Sequence, residues 1–182
     1  MVFIVAIIVI IAVFLVISIY NGIIKTKNES KEAWAQIETQ MQKRFDLIPN
    51  LVEIVKGYAK HESDTLEAVT NARSAAQKAS STGDVHDVAD ADKKLGIAIN
   101  ALSENYPELK ANANFLALQE TLEHTEESIS AARRMYNNAI LEYNNKIQTF
   151  PNNIIASIFG FKEGQMFEIN DEDAAKPVKV QF

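Results

Sequence analysis

The strongest constraint on this chain is the apolar segment Val2–Ile19, which runs for 18 residues with Ser18 as its single polar member. A helix rises about 1.5 Å per residue, so this segment would extend about 27 Å, close to the hydrocarbon thickness of a bilayer. Residues 1–24 are therefore predicted to form a transmembrane anchor. The residues assigned to this anchor and its interface are Val2, Phe3, Phe14, Ile19 and Tyr20.

A retained anchor is favoured over a cleaved signal peptide. A signal peptide would need a basic stretch before its apolar run and a small-residue cleavage site after it. No basic residue precedes Val2, and residues 18–20 form a poor cleavage site. Lys25, Lys27 and Lys31 make a basic flank on one side of the segment. The positive-inside rule therefore predicts an outward N-terminus and a cytoplasmic location for the rest of the chain.

The composition restricts what the remainder can be. About 155 residues follow the anchor, enough for one domain with its own core. The chain has no cysteine, which excludes disulfides and thiolate metal sites. Its net charge of −6 and the lack of a basic stripe argue against nucleic-acid binding. Only six glycines and four prolines interrupt a composition that favours helices.

Apolar residues recur three or four positions apart through most of the chain after the anchor, as expected for amphipathic helices. The predicted helices lie near residues 28–45, 47–80, 84–104 and 108–149. Asp84 is the expected N-cap of the third. The chain is therefore assigned to the all-α class. It should have a single N-terminal transmembrane helix, an up-and-down four-helix bundle over 25–150, and a short apolar helix with an irregular, extended tail over 151–182.

Pro49 determines where the first of these helices is expected to end. A proline inside a helix costs about 3 kcal/mol, but Asp46 could cap a new helix and leave Pro49 in its first turn, where the missing N–H is harmless. This division is favoured over one long helix, kinked at Pro49 and continuous with the anchor. Arg44 would then lie in the last turn of the preceding helix, where positive charge is favourable.

The residues around Pro49 are interpreted as a structural corner in preference to a partner-binding motif. Their apolar members would pack the end of the bundle, and their polar members would satisfy the backbone of the turn. The residues assigned to this corner or interaction motif are Arg44, Asp46, Leu47, Ile48, Pro49, Asn50 and Leu51.

The C-terminal tail contains a short apolar stretch and then aromatic residues scattered among polar ones. These aromatics either dock on the bundle as a brace or reach another subunit or the membrane surface. The candidate oligomer contacts are Phe159, Phe161, Phe167 and Phe182. Residues 178–182 alternate like a strand, and a lone strand would need a partner from another chain.

No pattern of catalytic or metal-binding residues is complete. His61-Glu62 lacks the second histidine of a zinc-protease helix, and no histidine has a glutamate three positions before it, as di-iron bundles require. The glutamates near His124 are interpreted as a charged outer face. Three arginines are expected to pair with acidic residues across the bundle: Arg73, Arg133 and Arg134. No cofactor or metal is predicted.

Several sequence strings together resemble the LemA family of bacterial membrane proteins. The densest is the block at residues 40–53, which contains Arg-Phe-Asp-Leu-Ile-Pro-Asn-Leu-Val. Tyr-Asn pairs follow at 136–137 and 143–144, and Phe-Pro-Asn at 150–152. The resemblance covers essentially the whole chain. The family usually has a tyrosine where this chain has Phe45.

The resemblance implies one N-terminal membrane helix and a four-helix domain on the cytoplasmic side of a bacterial inner membrane. It implies no established enzymatic activity. Some relatives are associated with the formation of magnetosome membranes, and family genes often neighbour a membrane metalloprotease.

A non-enzymatic scaffold that binds lipid through its anchor and self-associates at the membrane is the leading functional hypothesis. Tethering concentrates copies in two dimensions, so weak contacts between domains would matter. An adaptor or regulator of another membrane protein, such as a metalloprotease, is the second hypothesis. A small-molecule or metal sensor that uses the bundle interior is the third.

Overall fold

The computed structural model describes residues 1–58 and 64–167, and these residues form five α-helices, one 3₁₀ turn and no strand. This confirms the all-helical class. The helices are α1 (Val2–Lys56), α2 (Asp64–Thr82), α3 (Val85–Asn105), α4 (Ala113–Gln148) and α5 (Asn152–Ile158), and the 3₁₀ turn at Pro107–Ala111 precedes α4.

Two helix starts in the described ranges have side-chain caps. The Asp84 carboxylate accepts hydrogen bonds from the backbone N–H groups of His86 and Asp87 at 2.9 and 3.1 Å, as the sequence predicts for the start of α3. Asn112 caps α4 by accepting from the N–H of Phe115 at 3.0 Å. Gly83, at a φ of +69°, lets the chain turn between α2 and α3.

The helices pack in neighbouring pairs around one core. α1 lies along α4, α2 lies along α3, and α1 also contacts α2. Side chains from all four of these helices are fully buried in this core, among them Met41, Phe45, Val69, Leu95 and Ile129. The core begins well after the apolar N-terminal segment, so the two parts of α1 have different surroundings.

The predicted division at Pro49 is wrong, because α1 continues through Pro49 to Lys56. Asp46 is not a cap; its carboxylate accepts a hydrogen bond from Gln42 Nε2, one turn earlier in the same helix. The missing N–H of Pro49 leaves the carbonyl of Phe45 without its usual donor. Arg73 of α2 supplies one, since its Nε lies 2.7 Å from that oxygen.

The beginning of the tail follows the prediction. The apolar stretch after Pro151 forms α5, which packs against both α1 and α4. Residues 162–167 then run without regular secondary structure along α4. The strand-like residues 178–182 lie outside the described residues.

Candidate functional site

The apolar half of α1 makes almost no contact with the rest of the chain. Every residue up to Leu15 is exposed, with 86% of Phe3 and 69% of Phe14 accessible. In the part of the chain that the structure describes, α1 is the one helix whose length and composition suit a membrane crossing. A continuous surface of aliphatic side chains is unfavourable in water, so this segment requires an apolar environment.

Contacts with the rest of the chain begin where the apolar segment ends. Ile23 is completely buried in a small cluster with Tyr143 and Ile147 of α4 and Ala156 of α5, and Ile19 packs against the same cluster. We call this group the anchor-base cluster. It joins the end of the apolar segment, the predicted anchor, to the end of α4 and to α5.

Aromatic rings surround the anchor-base cluster. The ring centroid of Tyr20 lies 4.8 Å from that of Phe159 and 5.7 Å from that of Phe161. Lys27 Nζ lies 5.6 Å from the centre of the Phe161 ring. Two aromatic residues from the tail therefore lie beside Tyr20, the residue that the sequence predicts for the membrane interface.

Two Tyr-Asn pairs of α4 hold the extended segment 162–167. The Asn144 side chain donates to the carbonyl of Gly164 and accepts from its N–H, at 3.0 and 2.8 Å. Asn137 makes the same pair of bonds with Phe167. The hydroxyls of Tyr143 and Tyr136 donate to the carbonyls of Lys162 and Gln165, respectively.

The spacing of this Tyr-Asn ladder follows from helix and strand geometry. Seven helical residues rise about 10 Å, and three extended residues cover about the same distance. Pairs placed seven apart on α4 can therefore hold residues placed three apart on the tail. The repeated Tyr-Asn dipeptide was visible in the sequence, but its role needed a partner segment that the sequence does not reveal.

Phe167 is buried by its own chain. Its ring stacks on Trp34 with centroids 5.7 Å apart and meets Tyr136 edge-on at 5.6 Å, while Arg133 lies over its face. Only 4% of Phe167 is exposed, so its ring is packed within its own chain, as the brace interpretation requires; a contact with another subunit would need this packing to open.

The other tail aromatics differ in exposure. Phe161 is half-buried against the anchor-base cluster, and Phe159 is 53% exposed. The intermolecular contact assigned to Phe159 therefore stays a prediction. Phe182 lies outside the described residues.

The dense sequence block contains a buried charge network that the corner interpretation missed. Arg44 is 3% exposed, and its Nη1 lies 2.8 Å from Asp92 Oδ1. Arg133 Nη2 lies 2.8 Å from the other oxygen of Asp92, and Glu126 approaches Arg44 Nη2 at 3.5 Å from the surface. Arg44 is thus in a helix interior, paired across the bundle, and not in a helix-terminal turn. Arg133 pairs with an acidic residue of another helix, as the sequence predicts, and that residue is Asp92.

A signal for this network was present in the sequence. Asp92 interrupts the apolar stripe of α3 between Val88 and Leu95. Arg44 lies beside Met41 and Ile48 on the buried stripe of α1. A charge within an apolar stripe must be paired to be tolerated, so these two residues are natural partners.

The rest of the block divides between core and surface. Ile48 and Leu51 are buried and Leu47 is half-buried, as expected for apolar packing. Pro49 and Asn50 are exposed on α1. The block is therefore a helix interior with one buried arginine and not a corner.

An open cleft of about 590 Å³ lies beside the charge network, but its composition is that of a charged surface. Its lining residues are Asp92, Glu126, Glu127, Ile129, Ser130, Arg133 and Arg134. Among the described residues there is no group of three potential metal ligands. His124 lies 3.5 Å from Glu127 on the exposed face of α4, and His61 is outside the described ranges.

Comparison with known proteins gives two kinds of match. A family model described as "LemA family" matches residues 33–182. The chain is 27% identical over 153 residues to "Protein LemA" of Metamycoplasma hominis, covering 83% of this chain and 69% of that protein. It is 23% identical over 175 residues to "Magnetosome protein MamQ 1" and "Magnetosome protein MamQ 2" of Paramagnetospirillum magneticum. These alignments cover 82% of this chain and 64% of each magnetosome protein, which is less than two thirds of their length.

Proposed function

The chain belongs to the LemA family, and from this premise we propose that it is a non-enzymatic, membrane-anchored scaffold that self-associates at the cytoplasmic face of a bacterial inner membrane. In this proposal the segment Val2–Ile19 spans the bilayer with its N-terminus outside. The helices after it form the interacting domain. The similarity to magnetosome proteins supports a role in organising a membrane.

The observation that carries the proposal is the continuity of α1. One helix contains both the fully exposed apolar segment and a large part of the buried core, including Ile37, Met41 and Phe45. A domain attached through a continuous helix has a more restricted orientation relative to the membrane than a domain attached through a flexible linker. Neighbouring copies therefore lie at the same height above the membrane, so that matching levels of their domains can meet.

Two features favour self-association. Attachment to a surface raises the effective concentration of the domains, so that weak contacts become populated. Large apolar side chains are exposed on α4, with 61% of Met135 and 49% of Leu141 accessible. Single exposed apolar residues are common, but on a tethered domain they add contact area between copies.

Mass photometry of the full-length protein extracted in native-like nanodiscs tests self-association. We expect particles that contain two or more copies at cellular membrane density. A strict monomer at that density would reject the scaffold proposal. Recovery of a stoichiometric complex with one different membrane protein, without self-association, would favour the adaptor function.

Topology is tested separately with single-cysteine variants, which are straightforward because the natural chain contains no cysteine. A cysteine at Ile97, on the exposed face of α3, should react with a membrane-impermeant maleimide only after the cells are opened. Reaction in intact spheroplasts would overturn the cytoplasmic placement.

A further inference from the structure

An exposed apolar surface lies around α5. Accessible fractions are 76% for Phe150, 51% for Ile154, 69% for Ile158 and 53% for Phe159. We call these four residues the α5 surface. The opposite face of the helix is used for packing, since Ile155 and Ala156 are buried.

The α5 surface lies at the level where the apolar segment of α1 ends. α1 and α4 run antiparallel, because Trp34 faces Tyr136 and a Cβ at Gly22 would lie 3.3 Å from the side chain of Lys146. Continuing this register brings the end of α4 and the Phe150 loop beside Tyr20. The ring contact of 4.8 Å between Tyr20 and Phe159 places α5 at the same level.

The electrostatics of this region suit a lipid interface. From Ile147 to Phe161 the chain carries no charged residue. Lysines stand directly on both sides of this uncharged stretch, at positions 146 and 162. A short apolar helix flanked by cations, with aromatic side chains at its edge, is typical of segments at the boundary between acyl chains and headgroups.

The turn after α5 keeps the apolar surface in place. Phe161 N–H donates to the carbonyl of Ala156 at 2.9 Å, and Gly160 N–H donates to the carbonyl of Ser157 at 3.3 Å. Gly160 has a φ of +70°, as this type of helix end requires. The chain then returns to the Tyr-Asn ladder, so α5 is fixed to the domain at both ends.

We propose that the α5 surface inserts into the interfacial layer of the same bilayer that holds the anchor. The inference rests on the proposed membrane anchoring, because the position of the bilayer along α1 follows from the apolar segment. A bilayer that contains Val2–Ile19 ends beside Tyr20 and therefore meets Phe150 and Phe159. A soluble protein partner would have to fit between the domain and the headgroups.

Interfacial insertion of α5 gives the domain a second point of attachment. The anchor alone leaves the domain free to rotate about the axis of α1. A second contact to one side of that axis restricts the angle and the direction in which the domain can tilt.

Environment-sensitive fluorescence at single cysteines tests this inference on the full-length protein. Ile158→Cys reports on the α5 surface, Phe14→Cys on the anchor, and Ile97→Cys on an aqueous surface of similar exposure. Each variant is labelled with a nitrobenzoxadiazole dye and reconstituted into phosphatidylcholine–phosphatidylglycerol vesicles. The vesicles contain lipids with a quencher attached near the headgroup, and iodide serves as the aqueous quencher.

We expect the dyes at positions 14 and 158 to be protected from iodide, and the dye at 97 to be quenched by it. The headgroup-level lipid quencher should act most strongly at position 158. An Ile154→Cys variant checks that the result does not depend on one labelled position.

The outcomes separate the inference from the proposed function. Lipid contact at position 14 with iodide access at 158 would overturn the interfacial insertion and leave the anchor intact. Protection at 158 without quenching by lipid would show a protein occupant and also overturn it. Iodide access at position 14 would overturn the anchor itself, and the interfacial insertion with it.

Discussion

At the scale of single residues, two groups of α1 that are unfavourable when buried are compensated by side chains of other helices. Arg73 completes the hydrogen bonding of a carbonyl that Pro49 leaves without a donor. Arg44 is itself a buried charge and depends on Asp92 for compensation. Both solutions use partners on other helices, so they appear only when the helices have packed.

The interaction between Arg73 and the Phe45 carbonyl should be energetically coupled to Pro49. Arg73→Ala is expected to lower the free energy of unfolding by about 1–2 kcal/mol, because it leaves a partly buried carbonyl unpaired. In a Pro49→Ala background the new N–H satisfies that carbonyl, and the cost should fall by about 1 kcal/mol. Thermal unfolding in detergent, followed by circular dichroism, measures the cycle.

Additive effects in this cycle would contradict the compensating role of Arg73. Asp46→Ala is the matched control, since its only described hydrogen bond is an exposed one to Gln42. We expect it to change stability by less than about 0.5 kcal/mol.

Loss of Asp92 should be among the most destabilising single changes in the domain. Asp92→Ala leaves the buried guanidinium of Arg44 without its buried counter-charge and with only the exposed Glu126 at 3.5 Å, and we expect a cost of about 3 kcal/mol or more. Arg134→Ala removes an exposed arginine of α4 and should cost less than about 0.5 kcal/mol. Similar melting temperatures for the two variants would show that the network contributes little to folding.

At the scale of elements, the Tyr-Asn ladder shows how one helix can hold an extended segment without a β-sheet. Amide side chains on α4 offer the donor and acceptor that a neighbouring strand would otherwise provide. Gly164 fits this arrangement because a Cβ there would lie 2.7 Å from Ile140 Cδ1. The tail from residue 162 to 167 therefore has one register on α4.

The ladder should weaken at high pH. Burial raises the pKa of Tyr136 and of Tyr143 above the ordinary value of 10.0. Below that value both tyrosines are neutral in the folded and unfolded states, so their ionisation does not make the free energy of unfolding depend on pH. Above it the unfolded chain loses these protons first, and the free energy of unfolding decreases as pH rises.

Denaturant titrations at pH 9 and pH 10.5 measure this effect. The wild type should lose more stability between the two pH values than a Tyr136→Phe/Tyr143→Phe double variant. An equal loss in both proteins would assign the pH dependence to other groups.

Elements whose formation depends on residues close together in the chain could be predicted from the sequence. The apolar length of the first segment, the Asp84 cap and the apolar stretch of α5 each depend on residues close together in the chain. The course of α1 through Pro49 could not be predicted in this way, because Arg73 lies 28 residues after Phe45. The ladder and the role of Asp92 also required the packing of distant segments.

At the scale of the whole molecule, the tail is part of the folded domain as far as Phe167. Deleting residues 161–182 removes the ladder's partner segment and the ring that stacks on Trp34. Deleting 168–182 leaves both in place. We expect the longer deletion to unfold at a temperature several degrees lower than the shorter one, as measured by circular dichroism in detergent.

The same two truncations distinguish a brace from an assembly element. If nanodisc stoichiometry falls in the shorter truncation while its melting temperature is unchanged, residues 168–182 contribute to association. If the two truncations melt at the same temperature, residues 161–167 do not brace the domain.

A single unbroken α1 also has a mechanical consequence. The helix is 55 residues long, so it measures about 80 Å from end to end. Within α1 no flexible joint separates the apolar half from the half that carries the core. In the proposed topology, a change in lipid thickness that leans the apolar half over would therefore swing the distant end of the domain through a wide arc, and the molecule would act as a lever whose short arm lies among the acyl chains.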